Sequence, residues 1–164
     1  MVAPMKRQEV TNCCKFVVTF FIIYFASVPF GIFAEEFADL LLCRKCGHEV
    51  ARASNVIRVP SKLAHRQRND TVSGVEKVLI QLFKNPDGLF FEVITVKNAE
   101  VYTDSNKFMD MTWFPGYSWA VSVCPKCGSH IGWQYEVENP TQTETEFPKQ
   151  FIGLIYEKLL EHLE

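Results

Sequence analysis

Neither sign of charge dominates this chain. Across its 164 residues, 17 Lys and Arg stand against 19 Asp and Glu, a formal net charge of -2. The densest basic stretch, 58–68, is interrupted by apolar and polar residues. The sequence therefore lacks the basic face on which nucleic-acid binding rests, and no nucleic-acid partner is expected. It has no low-complexity tract, and nothing repeats except a pair of Cys-x-x-Cys turns. A composition of 48% hydrophobic and 22% charged residues is that of a globular chain. Cysteine is missing where a thiol enzyme would need it, because none follows Cys127.

The one long uncharged run is N-terminal. Residues 16–34 follow Lys6, Arg7 and Lys15 and carry no charge until Glu35 and Glu36. A basic start, an apolar middle and small or helix-breaking residues (Ala26, Ser27, Pro29, Gly31) have the layout of a secretory signal cut after Ala34. The competing reading is an uncleaved membrane anchor, since the run approaches the roughly 20 residues that span a bilayer. Pro29 and Gly31 weaken the span without excluding it. The expected division is a signal peptide at 1–34 and one domain at 35–164, secreted or extracellular. Removing Lys6, Arg7, Lys15 and Glu9 leaves 14 basic and 18 acidic residues. The sequon Asn69-Asp-Thr71, in a polar stretch that reads as a surface loop, is a glycosylation candidate in that compartment.

Cys13 and Cys14 leave with the signal, and four cysteines remain: Cys43, Cys46, Cys124 and Cys127. In an oxidising compartment they could form two disulfides. Both pairs are Cys-x-x-Cys turns followed by glycine, Gly47 and Gly128, which is the shape of a zinc knuckle. Two knuckles together supply the four soft ligands of one tetrahedral Zn2+. A site closed by four thiolates is structural, because no position is left for water or substrate. His48 and His130 stand beside the knuckles as alternative ligands, and His130 is read instead as a hydrogen-bonding residue at a strand end.

Strand chemistry dominates after residue 35. Segments 76–84 and 89–97 are rich in β-branched and aromatic residues, and the Asn85-Pro-Asp-Gly88 turn between them predicts an antiparallel hairpin. Residues 50–59 form a weaker strand, 117–123 lead into the second knuckle, and 131–137 leave it with Ile131, Trp133 and Tyr135 on one face. Residues 61–73 show no periodicity and read as a loop. The C-terminus carries both patterns, a strand over 151–156 passing into a short helix. Short strands with a metal pin indicate a mainly β domain of antiparallel sheets.

The three tryptophans, Trp113, Trp119 and Trp133, crowd around the second knuckle. Core packing accounts for them in a small domain. A tight turn, Phe114-Pro-Gly-Tyr117, separates the first two, and three indoles around a loop also suit a cage for a flat or cationic group.

These residues, Trp-Phe-Pro-Gly-Tyr-Ser-Trp at 113–119 and Cys-Pro-Lys-Cys-Gly-Ser-His-Ile-Gly-Trp at 124–133, with the Asn85 turn, resemble the thalidomide-binding, or CULT, domain of cereblon and its single-domain relatives. The resemblance covers about 42–160. It implies two antiparallel sheets at an angle, the β-tent, pinned by one structural zinc. It also implies a cage of Trp113, Trp119 and Trp133 for a cyclic imide such as a glutarimide, or a modified peptide end. Backbone groups at Met111 and Trp113 would bond the imide, Tyr135 would close the pocket and Asn85 would sit at its rim. Met111 stands where cereblon has histidine, and Tyr135 where phenylalanine is usual. The matching part includes neither the Lon-like domain nor the helical segment through which cereblon joins its ubiquitin ligase, so ligase assembly is not expected. A non-enzymatic binding module is the leading expectation. The alternatives are a structural interaction domain with buried tryptophans and a B-type methionine sulfoxide reductase, which looks similar in its zinc pin and sheet. The reductase needs a nucleophilic cysteine beyond the metal ligands.

Overall fold

The computed structural model describes residues 39–138 and 148–161. The expected signal or anchor at 1–34 lies outside them. Among the described residues no helix is long and apolar enough to cross a membrane.

The domain is built from two antiparallel sheets. In the smaller, β1 (Leu40–Cys43) lies between β2 (Glu49–Arg52) and β11 (Leu159–Glu161). The larger runs β4 (Arg66–Val72), β5 (Val75–Lys84), β6 (Phe90–Val96), β10 (Gln150–Ile155), β9 (His130–Val137), β8 (Tyr117–Val123) and β7 (Tyr102–Thr103), with the short β3 (Val56–Ile57) also pairing β6.

The central strands of the large sheet read as near-continuous apolar runs because both faces are covered. Alternation along β6 sends Val93 to one cluster and Ile94 to the other; β10 does the same with Phe151 and Ile152. One face packs with Leu41, Val50, Leu159 and the buried Cys43 and Cys124. The opposite face packs Phe83, Phe114, Tyr117, Trp133, Tyr135 and Phe151. Each cluster buries its aliphatic or aromatic side chains almost completely, and that burial is the main force holding the sheets together.

The expected 76–84/89–97 hairpin forms as β5 and β6. Its turn is closed by the Gly88 amide on the Asn85 carbonyl (3.0 Å) and the Leu89 amide on Asn85 Oδ1 (2.8 Å). Gly88 sits at φ +86°, a conformation that favours glycine. The strand expected over 50–59 is split: β2 joins the smaller sheet, a 3-10 turn follows at Ala53–Asn55, and β3 joins the larger sheet and ends at Ile57.

Three expectations are corrected. Residues 66–72 form strand β4 rather than part of a loop. β4 is an edge strand paired only to β5, and within it only Val72 is buried, so no apolar periodicity marks it. At the C-terminus β10 passes into a single 3-10 turn, Tyr156–Lys158, and then into β11 rather than a helix. Leu159 is drawn into a strand because it pairs with Cys43 and is buried in the metal-side cluster. Finally, Ile131 packs with the metal-side cluster while Trp133 and Tyr135 pack on the aromatic face. The register shift between Ser122 and Val123, opposite Gly132 and His130, breaks the simple alternation.

Candidate functional site

The two knuckles fold alike. In the first, the Cys43 amide donates to the His48 carbonyl (2.7 Å) and the Gly47 amide to the Cys43 carbonyl (2.8 Å). In the second, the Cys124 amide donates to the Ser129 carbonyl (2.9 Å) and the Gly128 amide to the Cys124 carbonyl (2.9 Å). Gly47 at φ +69° and Gly128 at φ +67° turn each chain back. The four sulfurs lie within 4.8 Å of one another, with Cys43 to Cys127 at 3.8 Å and Cys46 to Cys124 at 3.6 Å. Four thiolates ~2.3 Å from one tetrahedral ion lie roughly 3.8 Å apart, so the cluster has the dimensions of a one-metal site. All four thiols are free, and the disulfide alternative does not describe this arrangement. The backbone at Ser129 pulls the Cys127 thiol down to about 7, whereas burial pushes Cys46 up to about 12. Loading a metal must displace protons from the cluster, which makes affinity fall with acidity.

On the opposite side of the large sheet, the turn after β5, the start of β6, the loop before β8, β8 itself and β9 enclose a concave pocket of roughly 520 Å3. Trp113, Trp119, Trp133, Tyr135, Met111 and Asn85 all line it. The volume falls in the roughly 300–1,000 Å3 range of small-molecule sites. Trp113 and Trp133 meet edge to face, their ring centroids 4.7 Å apart at 72°. Trp113 stacks on Phe83 at 4.8 Å and donates its indole N–H to the Lys84 carbonyl (3.2 Å). Trp119 donates its own to the Asp110 carbonyl (2.8 Å) and pairs by backbone with Phe108. Trp113 and Trp119 remain half-exposed while Trp133 is 9% exposed.

The other predicted residues differ in what they offer. Tyr135 is buried between Phe114 and Phe151 at the pocket floor, and burial raises its phenol well above the usual range. Asn85 has its carboxamide oxygen engaged by Leu89, so its first task is the hairpin turn. Met111 is 73% exposed and adopts φ +57°, strained for a non-glycine residue. Among the described residues, the amides of Met111, Thr112 and Trp113 and the carbonyl of Met111 make no backbone hydrogen bond. Main-chain polar groups in this state beside an aromatic pocket are available to a ligand.

Eight further residues line the pocket that the sequence does not single out as ligand contacts, among them Phe91, Phe108 and His130. His130 does sit at a strand end as expected, with Nε2 3.0 Å from the Gly132 carbonyl, but its ring also packs edge-on against Trp133 (4.6 Å). Burial lowers its pKa and favours the neutral imidazole. Asn69 is exposed on edge strand β4, not in a loop, and its Oδ1 accepts from Arg58 (2.9 Å).

No protein-family model matches the chain. Among curated proteins it is similar to cereblon of Drosophila willistoni, 40% identical over 119 residues, covering 71% of this chain and 16% of the relative. It is also similar to cereblon of Drosophila erecta (29% over 128 residues, 74% of this chain, 18% of the relative) and of Gallus gallus (32% over 79 residues, 48% and 17%). The chain thus spans less than a fifth of the length of these relatives. Over the matched part the chain is consistent with a cereblon-like CULT domain.

Proposed function

We propose that this cereblon-like domain is a zinc-containing, non-enzymatic binding module whose three tryptophans hold a cyclic imide or a modified peptide end. The observation that carries the reading is the convergence of all three indoles on one open pocket beside the 111–113 backbone. A planar imide offers two apolar faces for the rings, together with one N–H and two carbonyls for fixed main-chain partners. The alternative of a structural domain with wholly buried tryptophans is disfavoured by the half-exposure of Trp113 and Trp119. The reductase alternative lacks support because the four cysteines of the described domain are all drawn into the metal cluster.

Titrating the folded protein with a glutarimide while following tryptophan fluorescence tests the pocket. Saturable quenching is expected, and its absence from a metal-loaded, folded sample overturns the reading. The metal is proposed to be one Zn2+ per chain, which elemental analysis checks. The location is proposed to be the secretory pathway, with residues 1–34 removed; an N-terminus at Glu35 in protein from the native source supports this, and one that retains residues 16–34 supports the anchor. The exposed Asn69 is the proposed glycan site, read as a glycosidase-sensitive mass shift in the same sample. Ligase assembly is not part of the proposal.

A further inference from the structure

Gln81 is a fully buried polar side chain on the aromatic face. It belongs to β5 between Leu79 and Phe83 and is 0% exposed. A carboxamide in that position is costly unless its atoms are paired. Gln81 is paired at both ends: Oε1 accepts from the Ser61 amide (2.8 Å) and from Gln67 Nε2 (3.0 Å), while Nε2 donates to the Val59 carbonyl (3.0 Å). Gln67 Nε2 also reaches the Ser61 carbonyl (2.9 Å). The result is a buried polar clamp that fixes the segment around Ser61. Ser61, 4% exposed, accepts from the Leu63 amide at Oγ (3.1 Å) and donates its hydroxyl to the carbonyl of Trp113.

We propose that Ser61 and Gln81 are positioning residues of the tryptophan pocket, holding the Trp113 wall and committing its carbonyl so that the adjoining amides stay presented to a ligand. Neither residue lines the pocket. Trp113 is then anchored at three independent points: the carbonyl by Ser61, the indole N–H by the Lys84 carbonyl, and the ring face by Phe83. Only the first acts on the main chain that would face an imide. Gln81 keeps Ser61 in place by holding its amide, so the clamp links the β4–β5 pair to the binding loop without touching a ligand.

The inference rests on the pocket being a ligand site, and two measurements separate its failure from the failure of that reading. Wild type, Ser61→Ala, Ser61→Thr and Gln81→Met are compared by glutarimide titration and by hydrogen exchange over 111–117, with metal content and melting temperature recorded. Ser61→Ala is expected to weaken binding roughly threefold to tenfold, the worth of one hydrogen bond. It should also speed exchange at the hydrogen-bonded amides of Phe114 and Tyr117 while leaving exchange at 124–131 and metal content unchanged. Ser61→Thr, which keeps the hydroxyl, is expected to bind closer to wild type than Ser61→Ala does. Gln81→Met should follow Ser61→Ala; if it fails to fold, the Ser61 pair alone decides. Should wild type bind no glutarimide while Ser61→Ala still speeds exchange at Phe114 and Tyr117 selectively, the clamp stands and the ligand reading falls. Unchanged exchange at Phe114 and Tyr117, or unchanged affinity in a wild type that binds, overturns the clamp.

Discussion

The metal end and the aromatic face of this domain are organised on opposite principles. Four sulfurs from two short turns make the metal cluster, and each turn carries its own hydrogen bonds and its own glycine. The aromatic pocket takes residues from β6, β8, β9 and two loops, and no local motif contains it. Yet the two are mechanically joined, because β8 enters and β9 leaves the second knuckle and between them they carry Trp119, Trp133 and Tyr135. A compact local device can therefore set the register of a dispersed site. A metal bound at the knuckle would fix the hairpin that carries part of the pocket wall and its floor.

The largest expected effect breaks that joint. Stripping the metal with a strong chelator, or replacing Cys124 with serine, removes a structural site of a kind worth about 10 kcal/mol or more in small metal domains. The melting temperature is expected to fall by more than about 10 °C, with loss of glutarimide binding in the same titration. Binding that survives complete metal removal would show that the aromatic face holds its shape alone.

The next effect lies where β9 passes β10. A Cβ on Gly132 would stand 2.1 Å from the Gly153 carbonyl oxygen and 3.1 Å from Leu154 Cα, backbone atoms that cannot yield without moving the strand. Gly132→Ala is expected to cost about 3 kcal/mol or more in chemical denaturation. At Gly153 the contacts are side chains, Tyr135 Cε2 at 3.0 Å and Val93 Cγ1 at 3.1 Å, so Gly153→Ala should cost less. Equal costs would argue that the interstrand approach is not the tight point.

Trp119→Ala separates the pocket from the fold. Its indole is half-exposed and makes one hydrogen bond, to Asp110, outside the two core clusters' buried sets. Ligand affinity is expected to drop about tenfold, ~1.4 kcal/mol, with metal content unchanged. Loss of metal in this variant would mean that the joint also transmits in reverse.

These differences also explain what could be read in advance. The knuckles were legible because ligand type, spacing and glycine lie within six residues of each other, as at Cys43, Cys46 and Gly47. The 76–97 hairpin was legible because Asn85 and Gly88 encode the turn locally. Strand β4 was not, since an edge strand in water shows little apolar alternation: Arg66, Gln67, Asn69, Asp70 and Thr71 are all exposed. Alternation along 131–137 misassigns Ile131, because the register shift beside it depends on pairing with β8. The six pocket candidates came from a resemblance and do converge, but Phe91, His130 and the Ser61–Gln81 clamp depend on contacts across strands that no local pattern announces.

The smallest expected effect tests how β4 is held on the large sheet. Glu92 of β6 reaches across β5 to Arg68 of β4, Oε2 to Nη2 at 2.9 Å, with Arg66 at 3.5 Å, and Arg68 also contacts Asp70. The hydrogen bond from Arg68 holds the Glu92 carboxyl below its ordinary range. A carboxylate lowered by folding stabilises the native state above the unfolded pKa, roughly 4.3, and that contribution disappears as pH falls through the lower folded value. Glu92 is 19% and Arg68 35% exposed, so screening by solvent limits the pair to about 1 kcal/mol at most. Glu92→Gln should therefore lower stability slightly at pH 7, and its difference from wild type should shrink toward zero as pH falls below about 4. Higher salt should shrink it as well, because both side chains reach solvent. A deficit that persists undiminished at low pH would mean that Glu92 serves β4 through packing and hydrogen bonding rather than through charge.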